Sequence, residues 1–213
     1  MDSAKEIARK MLAVINADRD GIMVAFTKSF IRLPVSLAYL GYDFLDTDSR
    51  SSRFDDKIRF AELIKNSLSE QDVLPRAIEV FTNEFTDRID RYDVLKAMGN
   101  VSATVIGGAT FTSLTGVNLG KVLLSSMLGS IMSGFAISGI LTVGAEQSRA
   151  IYTSLALRQR NFERWYKLKS RGDLDLLYFI IEDVVGPYEK ACDIAEYNPE
   201  EFKKICKYFF EGL

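Results

Sequence analysis

The stretch that decides the fold is residues 97–145, which read AMGNVSATVIGGATFTSLTGVNLGKVLLSSMLGSIMSGFAISGILTVGA. Its one charged side chain, Lys121, divides the stretch into two arms of 24 uncharged residues each, 97–120 and 122–145. A helix rises about 1.5 Å per residue, so each arm could extend roughly 36 Å, enough to cross a hydrocarbon core of about 30 Å. We therefore predict a hairpin of two apolar helices, with its bend at Gly120 and Lys121.

Both arms are rich in glycine and in small hydroxyl residues. Nine of the 14 glycines of the chain lie in residues 97–145, and glycine is more frequent in membrane helices than in soluble ones. Small residues spaced four apart share one helix face, which lets two helices approach closely in lipid. The residues predicted to form the membrane-inserting hairpin are Gly107, Gly108, Gly116, Gly120, Lys121, Ser126, Ser130, Gly134, Ser138 and Thr142.

A basic segment follows the hairpin. Residues 149–171 carry seven basic side chains and one acidic one, a net charge of +6, whereas residues 172–213 have a net charge of −6. Aromatic side chains prefer the membrane interface and basic ones prefer anionic lipid surfaces. An ordinary solvated helix face would have a similar composition, so both interpretations stay open. The predicted membrane-surface residues are Arg149, Arg158, Arg160, Arg164, Trp165, Tyr166, Lys167, Lys169 and Arg171.

The composition argues against an enzyme. The chain has no histidine, which removes the Ser-His-Asp and Cys-His sites and most transition-metal sites. Its net charge of −2 argues against nucleic-acid binding, which usually requires a basic excess. Cys192 and Cys206 have neither metal nor redox spacing and are predicted to be buried free thiols, with a disulfide as the less favoured alternative. We predict no catalytic residues, no cofactor and no metal.

Helix-start signals elsewhere predict an all-α class. Ser3 and Glu6 form a capping box, and Asn198-Pro199 combines an N-cap with a proline in the first turn. Residues 146–170 are predicted to form one long helix. The helix that begins near Ser52 is predicted to bury one apolar face, formed by Phe54, Ile58, Ala61, Ile64 and Leu68. The whole chain, residues 1–213, is predicted to be a single domain, a bundle of about eight to ten helices around the hairpin.

A slightly acidic helical chain around a glycine-rich apolar hairpin resembles the pore-forming domains of colicin-like bacterial toxins. More distantly, it resembles the apoptosis-regulating Bcl proteins. The resemblance is one of architecture across the chain, and it departs from the colicin pattern because the long charged segment 146–213 follows the hairpin. It implies an amphitropic, pore-forming mechanism, in which the helices shield the hairpin in water. At an anionic bilayer the basic segment docks and the hairpin inserts.

Two other functions fit the same residues. The chain could be a resident inner-membrane protein with two spans that acts by binding, as an immunity protein does. It could also be a soluble all-α protein–protein interaction module whose hairpin is core. The predicted partners are an anionic bilayer, a cognate immunity or chaperone protein, and further copies of the chain within a membrane, but not nucleic acid. The N-terminus lacks a secretion signal, which predicts synthesis in the cytoplasm. The apolar hairpin predicts action at or in a membrane.

Overall fold

The computed structural model describes residues 2–15, 50–67, 73–89, 118–123 and 144–213. Helix accounts for 90% of these residues and no strand occurs among them, which confirms the predicted all-α class. The elements are α1 (Ala4–Ile15), α2 (Arg50–Ser67), α3 (Val73–Arg88), α4 (Gly144–Arg160), α5 (Phe162–Lys169), a short 3₁₀-helix (Leu174–Leu177), α6 (Tyr178–Tyr197) and α7 (Pro199–Glu211). The predicted hairpin lies mostly outside the described residues, so the hairpin and the bundle around it stay predictions.

The contacts within the chain group it into two compact units. Unit 1 comprises Met1–Ile22, Phe81–Ser126 and Asp183–Leu213, and unit 2 comprises Met23–Val80 and Met127–Glu182. Each unit therefore joins segments that are distant in the sequence. The single domain predicted for residues 1–213 stays a prediction.

Unit 1 pairs α1 with α7, and both helices begin where the sequence predicts. The backbone N–H of Glu6 donates to Ser3 Oγ at 3.3 Å, and the N–H of Glu201 donates to Asn198 Oδ1 at 3.2 Å. These side chains satisfy N–H groups that have no partner within a first helical turn. α1 packs against α7, and at the end of α7 a Cβ atom on Gly212 would collide with Leu12. Glycine therefore permits the close approach there.

The core of unit 1 is aromatic. The ring of Phe85 lies edge to face with those of Tyr188, Phe202 and Phe209, with centroids 5.4, 6.0 and 5.7 Å apart. Edge-to-face pairs place the positive rim of one ring on the negative face of the next. The Tyr188 hydroxyl donates to the Met11 carbonyl oxygen at 3.2 Å, and complete burial raises the pKa of Tyr188 above its ordinary value.

The two cysteines belong to the same unit. Cys192 lies on α6 and Cys206 on α7, and both are buried free thiols. The prediction from their spacing is thus confirmed.

In unit 2 the single long helix predicted for residues 146–170 is wrong. α4 ends at Arg160 and α5 begins at Phe162. Between them Asn161 has extended backbone, with φ −148°, and its Oδ1 accepts from the N–H of Arg164 at 2.9 Å. An asparagine that caps a new helix in this way ends the preceding one.

The chain turns sharply after α5. Gly172 and Asp173 have φ angles of 103° and 58°, and the 3₁₀-helix begins directly after them. Glycine adopts such angles readily and aspartate tolerates the left-handed region better than most residues. This turn separates α5 from the 3₁₀-helix.

The buried face predicted for α2 is wrong. Phe54 is 63% exposed and Ile58 is 45% exposed, whereas Arg53, Phe60 and Leu63 are buried. The guanidinium of Arg53 donates to the Tyr152 hydroxyl and lies 5.7 Å from the centre of its ring. A buried arginine requires such partners. They turn the Arg53 side of α2 inward, so the apolar stripe of Phe54 and Ile58 faces solvent.

Candidate functional site

The candidate site is the surface formed by α5 and the end of α4, termed here the basic–aromatic surface. Its residues are Arg158, Arg160, Phe162, Trp165, Tyr166, Lys167, Lys169 and Arg171. Phe162 and Tyr166 are each 58% exposed, and their rings stack with centroids 6.2 Å apart and planes 17° apart. Large apolar side chains exposed side by side mark surfaces that bind a partner or a membrane. Phe162 was not among the predicted residues, although its spacing of four from Tyr166 on a charged helix could have identified it.

The short helix α5 separates its side chains into two groups. Arg164, Trp165 and Leu168 are buried, whereas Phe162 and Tyr166 face solvent. On the exposed side Lys167 Nζ pairs with Glu163 Oε1 at 2.7 Å, one turn away. Trp165 therefore anchors the helix while the stacked pair stays available.

Trp165 lies beneath two cations of the surface. The guanidinium carbon of Arg158 is 4.9 Å from the centre of its ring, and Lys169 Nζ is 4.8 Å from it. A cation over an indole face is attracted by the quadrupole of the ring. The indole N–H points inward and donates to Ser154 Oγ at 3.0 Å, which leaves Trp165 only 7% exposed.

Ser154 also contacts a charged, partly buried cluster of unit 2, termed here the Arg59 network. Ser154 Oγ donates to Asp175 Oδ2 at 2.5 Å. Arg59 donates to Asp175, to Asp173 and to Asp56, in each case at 2.6 Å. Asp175 is fully buried. Burial acts to lower the pKa of Arg59, but the charge of Asp175 and these hydrogen bonds outweigh it and leave the pKa raised.

The predicted membrane-surface residues divide between the exterior and the interior. Arg158, Arg160, Tyr166, Lys167 and Arg171 are exposed, Lys169 is half-buried, and Arg149, Arg164 and Trp165 are buried. Arg149 lies over the ring of Phe179 at 5.3 Å, and the exposed Arg160 donates to the Tyr178 hydroxyl at 2.8 Å. The buried residues of this set support the fold in this conformation.

Of the ten predicted hairpin residues, Gly120 and Lys121 are described; Gly107, Gly108, Gly116, Ser126, Ser130, Gly134, Ser138 and Thr142 lie outside the described ranges. Residues 119–123 form a helical turn. The N–H of Lys121 donates to Asn118 Oδ1 at 2.9 Å, so Asn118 caps this turn. Gly120 and Lys121 thus lie in the first turn of a helix and do not form the predicted bend. Leu119 and Leu123 are buried, whereas Lys121 is exposed.

A cleft of about 240 Å³ lies in unit 1. It is lined by Arg88, Ile89, Ala195, Pro199, Phe202, Lys203 and Cys206. Arg88 is paired with Glu84 at 3.2 Å and with Glu196 at 2.8 Å, and Lys203 is paired with Glu200 at 3.0 Å. Because these cations already have carboxylate partners, we assign no ligand to the cleft.

Among the helices that the structure describes, none is both long and apolar enough to cross a membrane. Within the same ranges, no group of three or more cysteine, aspartate or glutamate side chains is arranged to hold a metal ion. No protein family, curated protein or solved structure matches this chain. The function is therefore argued from its own residues.

Proposed function

We propose that this protein is amphitropic and membrane-active, with a pore-forming, colicin-like mode of action. It docks on an anionic bilayer through the basic–aromatic surface and then inserts the apolar segment 97–145. The observation that carries the proposal is the exposed stack of Phe162 and Tyr166 among the exposed cations Arg158, Arg160, Lys167 and Arg171. Aromatic rings favour the headgroup region, and the cations favour anionic lipids.

The charges suit reversible docking. A basic side chain near an anionic membrane contributes about 1 kcal/mol, so the four exposed cations contribute at most about 4 kcal/mol. Glu163, which is paired with Lys167, offsets roughly one of these charges and leaves about 3 kcal/mol. That energy corresponds to about a hundredfold enrichment at the surface, because each 1.4 kcal/mol is a factor of ten. Salt screens this attraction, and the two aromatic rings supply a contribution that salt does not remove.

The helical turn at residues 119–123 supports the insertion step. Leu119, near the end of the first apolar arm, and Leu123, near the start of the second, are covered by protein. A segment that inserts only at a membrane has to be covered in this way in water, because exposed apolar surface drives association. Moving Lys121 across a bilayer would cost roughly 3 kcal/mol on insertion scales. Burial of the two apolar arms in lipid has to exceed that cost.

Vesicle binding and leakage test the proposal. Protein purified without detergent is mixed with vesicles of phosphatidylglycerol and phosphatidylcholine, or of phosphatidylcholine alone, loaded with a self-quenched dye. We expect binding and leakage with the anionic vesicles only, and weaker binding at higher salt. A double Phe162→Ser, Tyr166→Ser variant should bind less. Tyr197→Ser is the matched control, because Tyr197 is 62% exposed but lies in unit 1.

A second variant separates docking from insertion. Gly134→Arg places a charge within the apolar segment and should abolish leakage while vesicle binding persists. Binding by the unmodified protein without leakage would restrict the function to a peripheral one. Protein that requires detergent would indicate the resident two-span alternative. Protein that neither binds nor permeabilises vesicles would overturn the proposal and favour the soluble interaction module.

A further inference from the structure

We propose that Trp165 couples the basic–aromatic surface to the Arg59 network, so that docking on an anionic bilayer loosens the network. The inference rests on the proposed function and concerns the regulation of the same site. It begins with a continuous series of contacts. Arg158 and Lys169 lie over the Trp165 ring, the indole N–H donates to Ser154, and Ser154 donates to Asp175, which accepts from Arg59.

The Trp165 ring and a lipid phosphate compete for the same two cations. Arg158 and Lys169 hold their charges 4.9 and 4.8 Å from the centre of the indole ring. A lipid phosphate offers the same cations charge-assisted hydrogen bonds, which are stronger than neutral ones and bidentate with arginine. Contact with an anionic surface therefore draws both cations off the ring.

Release of the cations uncovers Trp165. The ring is 7% exposed while they cover it, and tryptophan is favoured at the membrane interface once it can reach that region. A ring that turns outward withdraws its N–H from Ser154, because the hydrogen bond of 3.0 Å requires the inward orientation. Ser154 and the Arg59 network then lose their hydrogen-bonded connection to the basic–aromatic surface.

The Arg59 network joins three parts of unit 2. Arg59 and Asp56 belong to α2, Ser154 to α4, and Asp173 and Asp175 flank the start of the 3₁₀-helix. Networks of buried polar groups are cooperative, and a partly satisfied one is less stable than a complete one. Loss of the Trp165–Ser154 contact therefore weakens the attachment of α2. Coupling is reciprocal, so weakening the network should in turn favour docking.

Brominated lipid provides the first test, since Trp165 is the one tryptophan of the chain. Anionic vesicles that contain brominated phosphatidylcholine should quench its emission as the protein binds. Amide hydrogen exchange in residues 50–67 should accelerate under the same conditions. Inorganic phosphate at matched ionic strength should produce no such acceleration. Equal acceleration by phosphate would overturn the assignment of the trigger to a bilayer.

Two substitutions on α4 provide the second test. Ser154→Ala breaks the series without substituting any residue of the basic–aromatic surface, and should raise the partition coefficient onto anionic vesicles by roughly fivefold or more, the lower range of typical coupling between sites. Thr153→Val is the matched control. It removes a buried hydroxyl that donates locally, to the carbonyl oxygens of Arg149 and Ala150, and lies outside the series.

The outcomes separate the two proposals. If the unmodified protein does not bind anionic vesicles, the proposed function fails, and the inference fails with it. If the protein binds while Trp165 stays unquenched and α2 exchange stays unchanged, the inference is overturned and the docking function stands. Equal partition of the two α4 variants would overturn it as well. Should Ser154→Ala not fold, the quenching measurement on the unmodified protein decides.

Discussion

The aromatic cluster of unit 1 and the Arg59 network of unit 2 differ in their chemistry. In unit 1 the rings of Phe85, Tyr188, Phe202 and Phe209 pack edge to face, whereas in unit 2 the fully buried Asp175 belongs to the Arg59 network. Ring packing depends on shape and buried area. A buried ionic network depends on the presence of every partner, because each missing group leaves an uncompensated charge. The aromatic cluster of unit 1 should therefore respond to changes of volume, and the Arg59 network of unit 2 to changes of charge.

The largest effect is expected from Phe85→Ala in unit 1. The side chain is fully buried at the centre of three ring contacts, and removing a buried phenyl group leaves a cavity. We expect the free energy of unfolding, measured by urea denaturation, to fall by about 4 kcal/mol. Phe85→Leu, which keeps much of the volume, should cost less than half of that. Equal losses for the two variants would contradict a role based on packing.

Asp175→Asn is the corresponding test of unit 2. It keeps the shape of the side chain but removes the charge that faces Arg59 at 2.6 Å. Because Asp173 and Asp56 still contact Arg59, we expect a loss of about 3 kcal/mol, the low end for breaking a buried pair. A double Arg59→Met, Asp175→Leu variant should recover part of the loss, since it removes both charges. A double variant as unstable as Asp175→Asn would contradict this account.

Tyr188→Phe tests the hydrogen bond that joins the aromatic core to Met11. Loss of the hydrogen bond to Met11 should cost about 1 kcal/mol at neutral pH. Burial raises the pKa of Tyr188, so above pH 10 the unfolded chain ionises this tyrosine while the folded protein keeps it neutral. Stability should therefore fall with rising pH by roughly 1.4 kcal/mol per unit from this group. The variant should lack that part of the alkaline decline, and an identical decline in both proteins would contradict the assignment.

The smallest effect is expected at the surface of unit 1. Hydrogen bonds from Lys10 at 2.8 Å and from Lys190 at 3.0 Å lower the pKa of Asp2 to about 2. The stabilisation is present above the ordinary value of 3.8 and is lost as the pH falls through about 2. Titration of the carboxyl carbon by NMR should give a midpoint near that value, and Lys190→Met should move the midpoint upward. A midpoint near 3.8 would show that the pairs are not formed in solution.

Helix starts could be predicted from the sequence because capping is local. Ser3 and Asn198 bond N–H groups three residues away, so a window of four residues contains the whole interaction. Asn161 uses the same chemistry and could have been recognised as a helix break. Its position within a continuous run of helix-forming residues concealed it.

The orientation of α2 could not be predicted in this way. The partners of Arg59, Asp173 and Asp175, lie 114 and 116 residues further along the chain. The apolar stripe of Phe54 and Ile58 is visible in sequence, whereas the need of Arg59 for these carboxylates appears only in three dimensions. The burial of Arg164 within the basic cluster was likewise not predicted.

The backbone at Asp173 has a consequence for which substitutions the position tolerates. Its φ of 58° favours glycine, asparagine or aspartate, since other side chains are strained there by roughly 1–2 kcal/mol. Its contact with Arg59 at 2.6 Å requires a carboxylate at that reach. Asparagine tolerates this φ but has no charge, whereas glutamate has the charge but is strained at this φ. A saturation library at this codon, selected for folded protein, should therefore return aspartate above every alternative.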